Sequence, residues 1–421
     1  ENRVKFQAQR AGVNIDLHGN LRGIIEHMDD IQNLGIDVLY MTPIFQSNSC
    51  HKYDTTDYYQ IDPSFGTTED LKELVQKAHE RGMKVVLDAV YNHTGREFFA
   101  FADILENGEK SKYRDWYFID GFPLKSEWGE IPNFKCFGYY GGMPKLNLKN
   151  PEVEKYITDV ACYWIKECDI DGWRLDVGDE ISHFFWKNFR KAVKAVKKDM
   201  LIIGEIWHYA GDFLEGDEWD TVMNYPFYLN LIDLLADEKI TVSQFVQNLG
   251  YLKGRLHKNC YPLMWNLIDS HDTARFLHLC NDNKKKQHLA AAFQLLLPGM
   301  PMIYYGDEYA MPGANDPDCR RGMYWDEEYQ DKEMYEWYKR LIQVRKSHAC
   351  IVEGELAGIV TEDAEGTVVL IRKNGEETIA MIFNCSSSAK KFNAYTEKYN
   401  LLTENTFDGN VEGFDAAVIV L

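Results

Sequence analysis

The chain has 421 residues, 45% hydrophobic and 14% aromatic, with a formal net charge of −20. That length suits one large domain with a smaller one beside it, and the acidic balance disfavours nucleic acid and anionic membrane as partners and favours a neutral ligand. No stretch is long and apolar enough to span a membrane, and the 9 scattered Cys lack CxxC pairs, which points to thiols in a reducing, cytoplasmic setting.

Residues 21–35 place apolar side chains at helical spacing and stop at Gly35. Residues 36–45 form a continuous apolar run ended by Pro43, the pattern of a buried parallel strand. A helix then runs from Thr68 to Gly82, opening on Thr68 with Glu69 and Asp70 in its first turn, and Met83 to Val90 is the next strand. Residues 94–150 are irregular and rich in Gly and aromatics, too long for a plain connection.

Alternation resumes with helix 151–168, strand 170–177, helix 182–198 and strand 201–206. Strands 220–224, 262–268 and 301–305 follow, with helices between them and a last helix at 331–346. From about 350 the pattern is short β runs (GTVVLIR, TIAMIFN, AAVIVL) with turns between, a small antiparallel domain. The reading is α/β: a (β/α)8 TIM barrel over 1–93 and 151–346, an inserted subdomain over 94–150 after strand three, and a C-terminal β-sandwich over 347–421. Only VKFQAQ, Val4 to Gln9, is available for the first barrel strand. The rival, a doubly wound sheet, would carry a Gly-rich phosphate loop after an early strand, and none is present.

Such barrels build their sites at the carboxyl ends of the strands. There the sequence places Asp88 and His93, then Arg174 and Asp176, then Glu205, then His271 and Asp272. A charge inside an apolar strand such as IDGWRLDV is costly unless paired or used. Arg174 and Asp176, two apart, share a face, and taken alone a structural ion pair explains them as well as catalysis does. Four strand ends carrying carboxylates shift the balance to a site. Without a Ser-His-Asp arrangement or an HExxH, paired carboxylates suggest acid/base and nucleophile chemistry on an acetal. Arg174 would hold Asp176 ionised as nucleophile; Glu205, with no cation adjacent in sequence, would stay protonated as general acid/base. A metallohydrolase reading of the same residues wants an HxH near the first strand and a ligand set richer in His, and neither is visible.

Four segments in order, DAVYNH (88–93), GWRLDV (172–177), GEIW (204–207) and NLIDSHDT (266–273), resemble the α-amylase superfamily of glycoside hydrolases. MPKLN at 143–147 resembles its neopullulanase, cyclomaltodextrinase and maltogenic amylase subgroup. The resemblance implies Asp176 as nucleophile, Glu205 as acid/base and Asp272 as the carboxylate that grips sugar hydroxyls. It implies that Arg174 orients the nucleophile, that His93 and His271 bond sugar hydroxyls, and that Tyr53, beside Asp54, stacks on the sugar. Asp316 and Arg320 resemble a pair at the next donor-side subsite, Trp207 and Glu180 fall on the acceptor side, and Asp88 and Asn92 support the strand end. It implies an α-glucan as substrate, cleaved at α-1,4 and possibly α-1,6 bonds with retention and possible transfer to a second sugar. No cofactor or obligatory metal is expected, calcium being possible without being required, and the oligomeric state is left open. The usual Val-Ala-Asn-Glu after the nucleophile reads Val177-Gly178-Asp179-Glu180 here. A non-catalytic, sugar- or partner-binding member of the fold is the alternative, against which the three intact carboxylates argue.

Overall fold

The structure, a computed structural model, describes residues 17–125 and 131–421, so Val4 to Gln9 lie outside the described residues. The helical run at 21–35 is two helices, Leu21–Glu26 and Met28–Leu34, meeting at His27, whose ψ of 13° leaves the helical range. The Asn20 side chain caps the first through the Gly23 amide, and Gly35, at φ 101°, ends the second in a conformation that favours glycine. Thr67, one residue earlier than expected, caps the helix Thr68–Glu80, and Asp70 closes a capping box with it.

Two compact units divide the described residues: 17–206 with Asp212–Val222, and Trp207–Gly211 with Met223–Leu421. In the first, β1 (Val38–Met41) stops before Pro43. The expected strand 36–45 therefore ends early, and its tail belongs to an unforeseen antiparallel hairpin of β2 (Phe45–Ser47) and β3 (Thr55–Ile61). β4 (Lys84–Ala89), β5 (Gly172–Leu175), β6 (Leu201–Gly204) and β7 (Thr221–Val222) complete a parallel sheet in the order β1-β4-β5-β6-β7. Helices Pro151–Cys168 and His183–Val196 form the crossovers to β5 and β6. β4 and β5 are in register with Asp88 opposite Arg174, so their charges fall at one level of the sheet.

Much of the aromatic content is core: Trp164, Trp173, Trp186 and Trp219 are fully buried, and Phe45 stacks on Trp164 at 5.0 Å. Between β4 and Pro151 the chain carries a helix, Phe99–Asn107, and isolated antiparallel bridges such as Tyr117 with Leu146 and Ile119 with Phe134.

In the second unit, Met223 bridges in parallel to Trp265 on β8 (Trp265–Leu267), which pairs in parallel with β9 (Met300–Met302). Helices Tyr225–Leu231, Val242–Arg255, Lys284–Leu296 and Lys332–Ser347 belong here. Beyond them β10 (Glu355–Glu362), β11 (Thr367–Asn374), β12 (Glu377–Asn384) and a last strand, Asp415–Val420, run antiparallel in one sheet. Ala380, Ile382, Ala417 and Ile419 from that sheet pack on Phe407 and Val411. The nine cysteines form no disulfide. Among the described residues, no helix is long and apolar enough to cross a membrane.

Candidate active site

Arg174, at the end of β5 and fully buried, is the hub of the first unit's charged cluster. Its Nη1 lies 3.1 Å from both Asp88 carboxylate oxygens and 2.9 Å from Asp176 Oδ1, and its Nη2 lies 2.9 Å from Glu205 Oε2. The expected pairing with Asp176 is present, but the expectation that it holds Asp176 ionised is corrected, because burial raises that carboxyl in spite of Arg174. The expectation that Glu205 lacks a cation is corrected: sequence adjacency did not show that a two-strand register brings the Arg174 fork to it. Asp88 also accepts from the Tyr40 hydroxyl at 2.6 Å and the Tyr53 hydroxyl at 3.1 Å.

One guanidinium thus serves three buried carboxyls. Burial lifts the Asp176 carboxyl well above its ordinary range, Arg174 pulls it back, and Glu205 and Asp88 lift it again. Asp88 is raised by burial as well, with Arg174 opposing. Protons in such a coupled set belong to the group of carboxyls together.

Two local features fix the carboxyl-bearing backbone. Val177 sits at φ 46°, ψ 44°, a left-handed conformation that is a true outlier for a β-branched residue, and its amide donates to Glu205 Oε2 at 2.9 Å. The Trp219 ring lies against both glycines that flank the site: a Cβ on Gly204 would come within 2.2 Å of it, and one on Gly178 within 2.8 Å. Trp219 is stacked on Phe213 at 4.0 Å, and Trp186, edge-on to Trp219, donates its indole N–H to the Gly178 carbonyl.

His93 Nε2 lies 3.0 Å from the Tyr53 carbonyl, and burial pushes its pKa down to about 4, so the ring is neutral at physiological pH with Nε2 as the donor. The loop bearing Tyr53 is pinned at Gly95, where a Cβ would come within 2.4 Å of the Asp54 carbonyl oxygen. Asp54 accepts from the Ser47 and Ser49 hydroxyls. Glu180 accepts from Asn92 at 3.1 Å and pairs with Lys145 at 2.6 Å, Lys145 being the basic residue of MPKLN.

The second unit holds the remaining expected residues. Asp272 lies 3.1 Å from His271 Nε2 and 3.3 Å from Arg320 Nη2, while Arg320 Nε contacts Asp316 at 2.8 Å and donates to the His271 carbonyl. Trp207 is 41% exposed and stacks on Tyr225 at 3.9 Å. Nearby in sequence, buried Arg275 pairs with Asp307 at 2.9 Å, and burial lifts Asp269 to about 7.

Sequence reasoning missed Tyr40, Val177, Trp219 and the Asp269–Arg275–Asp307 set. Tyr40 had a signal, a lone hydroxyl at the carboxyl end of a buried strand. The Val177 conformation had none, since valine gives no warning of positive φ. Among the described residues, no group of three or more His, Cys, Asp or Glu is arranged to hold a metal ion.

An α-amylase catalytic-domain model matches residues 6–354. A cyclomaltodextrinase of Geobacillus thermopakistaniensis is 46% identical over 94% of this chain and 68% of its own length. Neopullulanase 2 of Thermoactinomyces vulgaris is 43% identical over 87% of this chain and 62% of its own. A solved cyclomaltodextrinase structure superposes with a TM-score of 0.93 at 38% identity, covering 98% of this chain and 73% of that one. The chain spans about two thirds of the length of these curated relatives.

Proposed function

The chain belongs to the α-amylase catalytic-domain family of glycoside hydrolases, with that family's (β/α)8 fold, and on that premise we propose that it hydrolyses α-glucosidic bonds with retention. Its substrates are maltooligosaccharides, cyclodextrins or pullulan, in keeping with the names its relatives carry. The observation that carries the reading is the Arg174 fork, which holds Asp176 on one terminal nitrogen and Glu205 on the other. Burying three carboxyls around one cation costs stability, and such an arrangement is characteristic of a site.

Asp176 is assigned as nucleophile. Arg174 occupies Oδ1, and the other carboxylate oxygen attacks the anomeric carbon. Glu205 is assigned as acid/base. Both the Val177 amide and Arg174 fall on Oε2, so Oε1 carries the proton delivered to the leaving oxygen. After the first sugar leaves, Glu205 takes a proton from water as that water opens the glycosyl-Asp176 bond. Arg174 orients both carboxyls, and Asp88, with Tyr40 and Tyr53, holds Arg174. Asp272, gripped by His271 and Arg320, is assigned to sugar hydroxyls, with Asp316 beside Arg320. Tyr53, Asp54 and His93 serve the sugar at the cleaved bond, and Trp207 and Glu180 serve the acceptor side, with Asn92 supporting Glu180. Nine cysteines without a disulfide support a reducing, cytoplasmic setting.

The test is stereochemical. Carboxylates of retaining enzymes stand about 5–5.5 Å apart and those of inverting ones about 6.5–9.5 Å. Two carboxyls on one guanidinium suit the shorter spacing. Proton NMR of fresh product from maltotriose should show the α-anomer first. The β-anomer first would overturn the nucleophile assignment, and no released sugar from maltotriose or cyclodextrin would favour the binding-only alternative.

A further inference from the structure

Most exposed apolar side chains are scattered and need no explanation, but in the second unit three of them share one groove: Tyr251 (67% exposed), Leu229 (45%) and Trp207 (41%). The groove encloses about 400 Å³ between the segment after Glu205 and the helices Tyr225–Leu231 and Val242–Arg255. That volume lies within the range of small-ligand sites, roughly 300–1,000 Å³.

Its walls are fixed before any ligand arrives. The Arg255 guanidinium lies 3.9 Å from the centre of the Tyr209 ring and 5.3 Å from that of Tyr251. The Tyr209 hydroxyl donates to the Arg255 carbonyl at 2.7 Å. Tyr209 reaches this position by folding back over Gly211, where a Cβ would come within 2.0 Å of its hydroxyl oxygen, so a side chain there would displace the ring. Trp207, stacked on Tyr225, is held in the same way. Rings locked in place lose little entropy on binding. Asn248, also on the lining, supplies an amide among them.

Fixed aromatic faces interleaved with an amide and a guanidinium suit a ligand with apolar faces and hydroxyl edges. A chain of net charge −20 disfavours a polyanion there. We propose that this groove binds a run of glucosyl units in a long α-glucan, with Tyr209, Tyr251 and Arg255 beside Trp207 as its contacts. The proposal rests on the reading of the chain as an α-glucan hydrolase. It adds a length preference that the cleavage chemistry does not require.

Tyr251→Ala is the test, with Tyr251→Phe as control, since the side chain is exposed and its loss spares the fold. Native electrophoresis in gels containing soluble starch reads binding apart from turnover. Wild type and Tyr251→Phe should be retarded and Tyr251→Ala much less so. KM for amylose should rise about tenfold in Tyr251→Ala, as for one lost aromatic contact, with hydrolysis of maltotriose unchanged. Equal retardation of wild type and Tyr251→Ala, or no retardation of a wild type that cleaves maltotriose, overturns the groove. A Tyr251→Ala protein that keeps its retardation but changes from dimer to monomer would assign the surface to a second copy and overturn it likewise. Failure of wild type to cleave maltotriose counts against the hydrolase reading, and the gel still decides the groove.

Discussion

Replacing Gly204 by alanine should damage catalysis through a residue that touches no substrate. The added methyl would sit 2.2, 2.4 and 2.7 Å from three atoms of the Trp219 ring, far inside van der Waals contact. That ring has nowhere to go. It is 1% exposed, lies 4.0 Å from Phe213 at an interplanar angle of 5°, and meets Trp186 edge-on at 6.0 Å. Overpacking a dense core costs about 1–3 kcal/mol, and contact this close belongs at the upper end or beyond. The soft direction is outward along β6, and the next residue is Glu205. A misplacement of about 1 Å at a reacting group costs about 10²-fold in rate. Gly204→Ala should therefore lower kcat on maltotriose about a hundredfold and lower the melting temperature in the same protein. Trp219→Leu removes the clashing ring atoms, so the double variant should recover part of both losses, with a coupling of about 1–2 kcal/mol in stability. A Gly204→Ala enzyme with wild-type kcat and melting temperature, or strict additivity in the double variant, would refute the wedge.

Asp176→Asn and Glu205→Gln should each fold and lose activity by several orders of magnitude, and near-normal turnover in either would remove its assigned role. Because burial raises Asp176, the fold favours its protonated form, and the stability it contributes is lost as pH rises; Asp176→Asn should lose less melting temperature than wild type between pH 5 and 8. Arg174→Met leaves three buried carboxyls without their cation, and removal of one partner from such a set costs about 3–5 kcal/mol. That loss should be larger at pH 8 than at pH 5, where the carboxyls protonate, and a pH-independent loss would contradict it. Glu308, buried and pushed up to about 7 from 4.5, contributes stability that is full below pH 4.5 and lost as pH rises through 7. Glu308→Gln should melt with wild type at acid pH and above it at pH 8, and coincident curves at pH 8 would exclude the effect.

Elements with strong periodicity and clear caps were legible. The helices at 151–168 and 182–198 are observed as Pro151–Cys168 and His183–Val196, because Asn150 with Pro151 and Ser182 announce their starts. The continuous apolar run at 36–45 misled, because β1 and β2 are both apolar and only Pro43 marks the reversal into a hairpin. The charged strand ends were visible because a charge stands out in an apolar run. Partners set by register were not: nothing in GEIW says that the Arg174 fork reaches Glu205, nor in DAVYNH that Tyr40 reaches Asp88.

What register adds is a count of charges, and the count bears on mechanism. A retaining glycosidase needs one carboxyl ionised and one protonated side by side, and two isolated acids in water would both ionise at neutral pH. Here Arg174 supplies one positive charge to Asp88, Asp176 and Glu205, all buried, with the Tyr40 and Tyr53 hydroxyls donating to Asp88 alone. Those two hydroxyls and Nη1 favour the ionised form of Asp88 and oppose the burial that raises it. Asp176 and Glu205 are left to share what remains of the guanidinium field. Full ionisation of all three carboxyls would leave an excess negative charge in a buried site, and burial accordingly raises Asp176 and Asp88. The Val177 amide, donating to Glu205 Oε2, fixes that oxygen as an acceptor. The strained backbone at Val177 thus has a chemical consequence. On the proposed acid/base assignment it leaves Oε1 to the leaving group, a choice that an unconstrained glutamate would leave to chance.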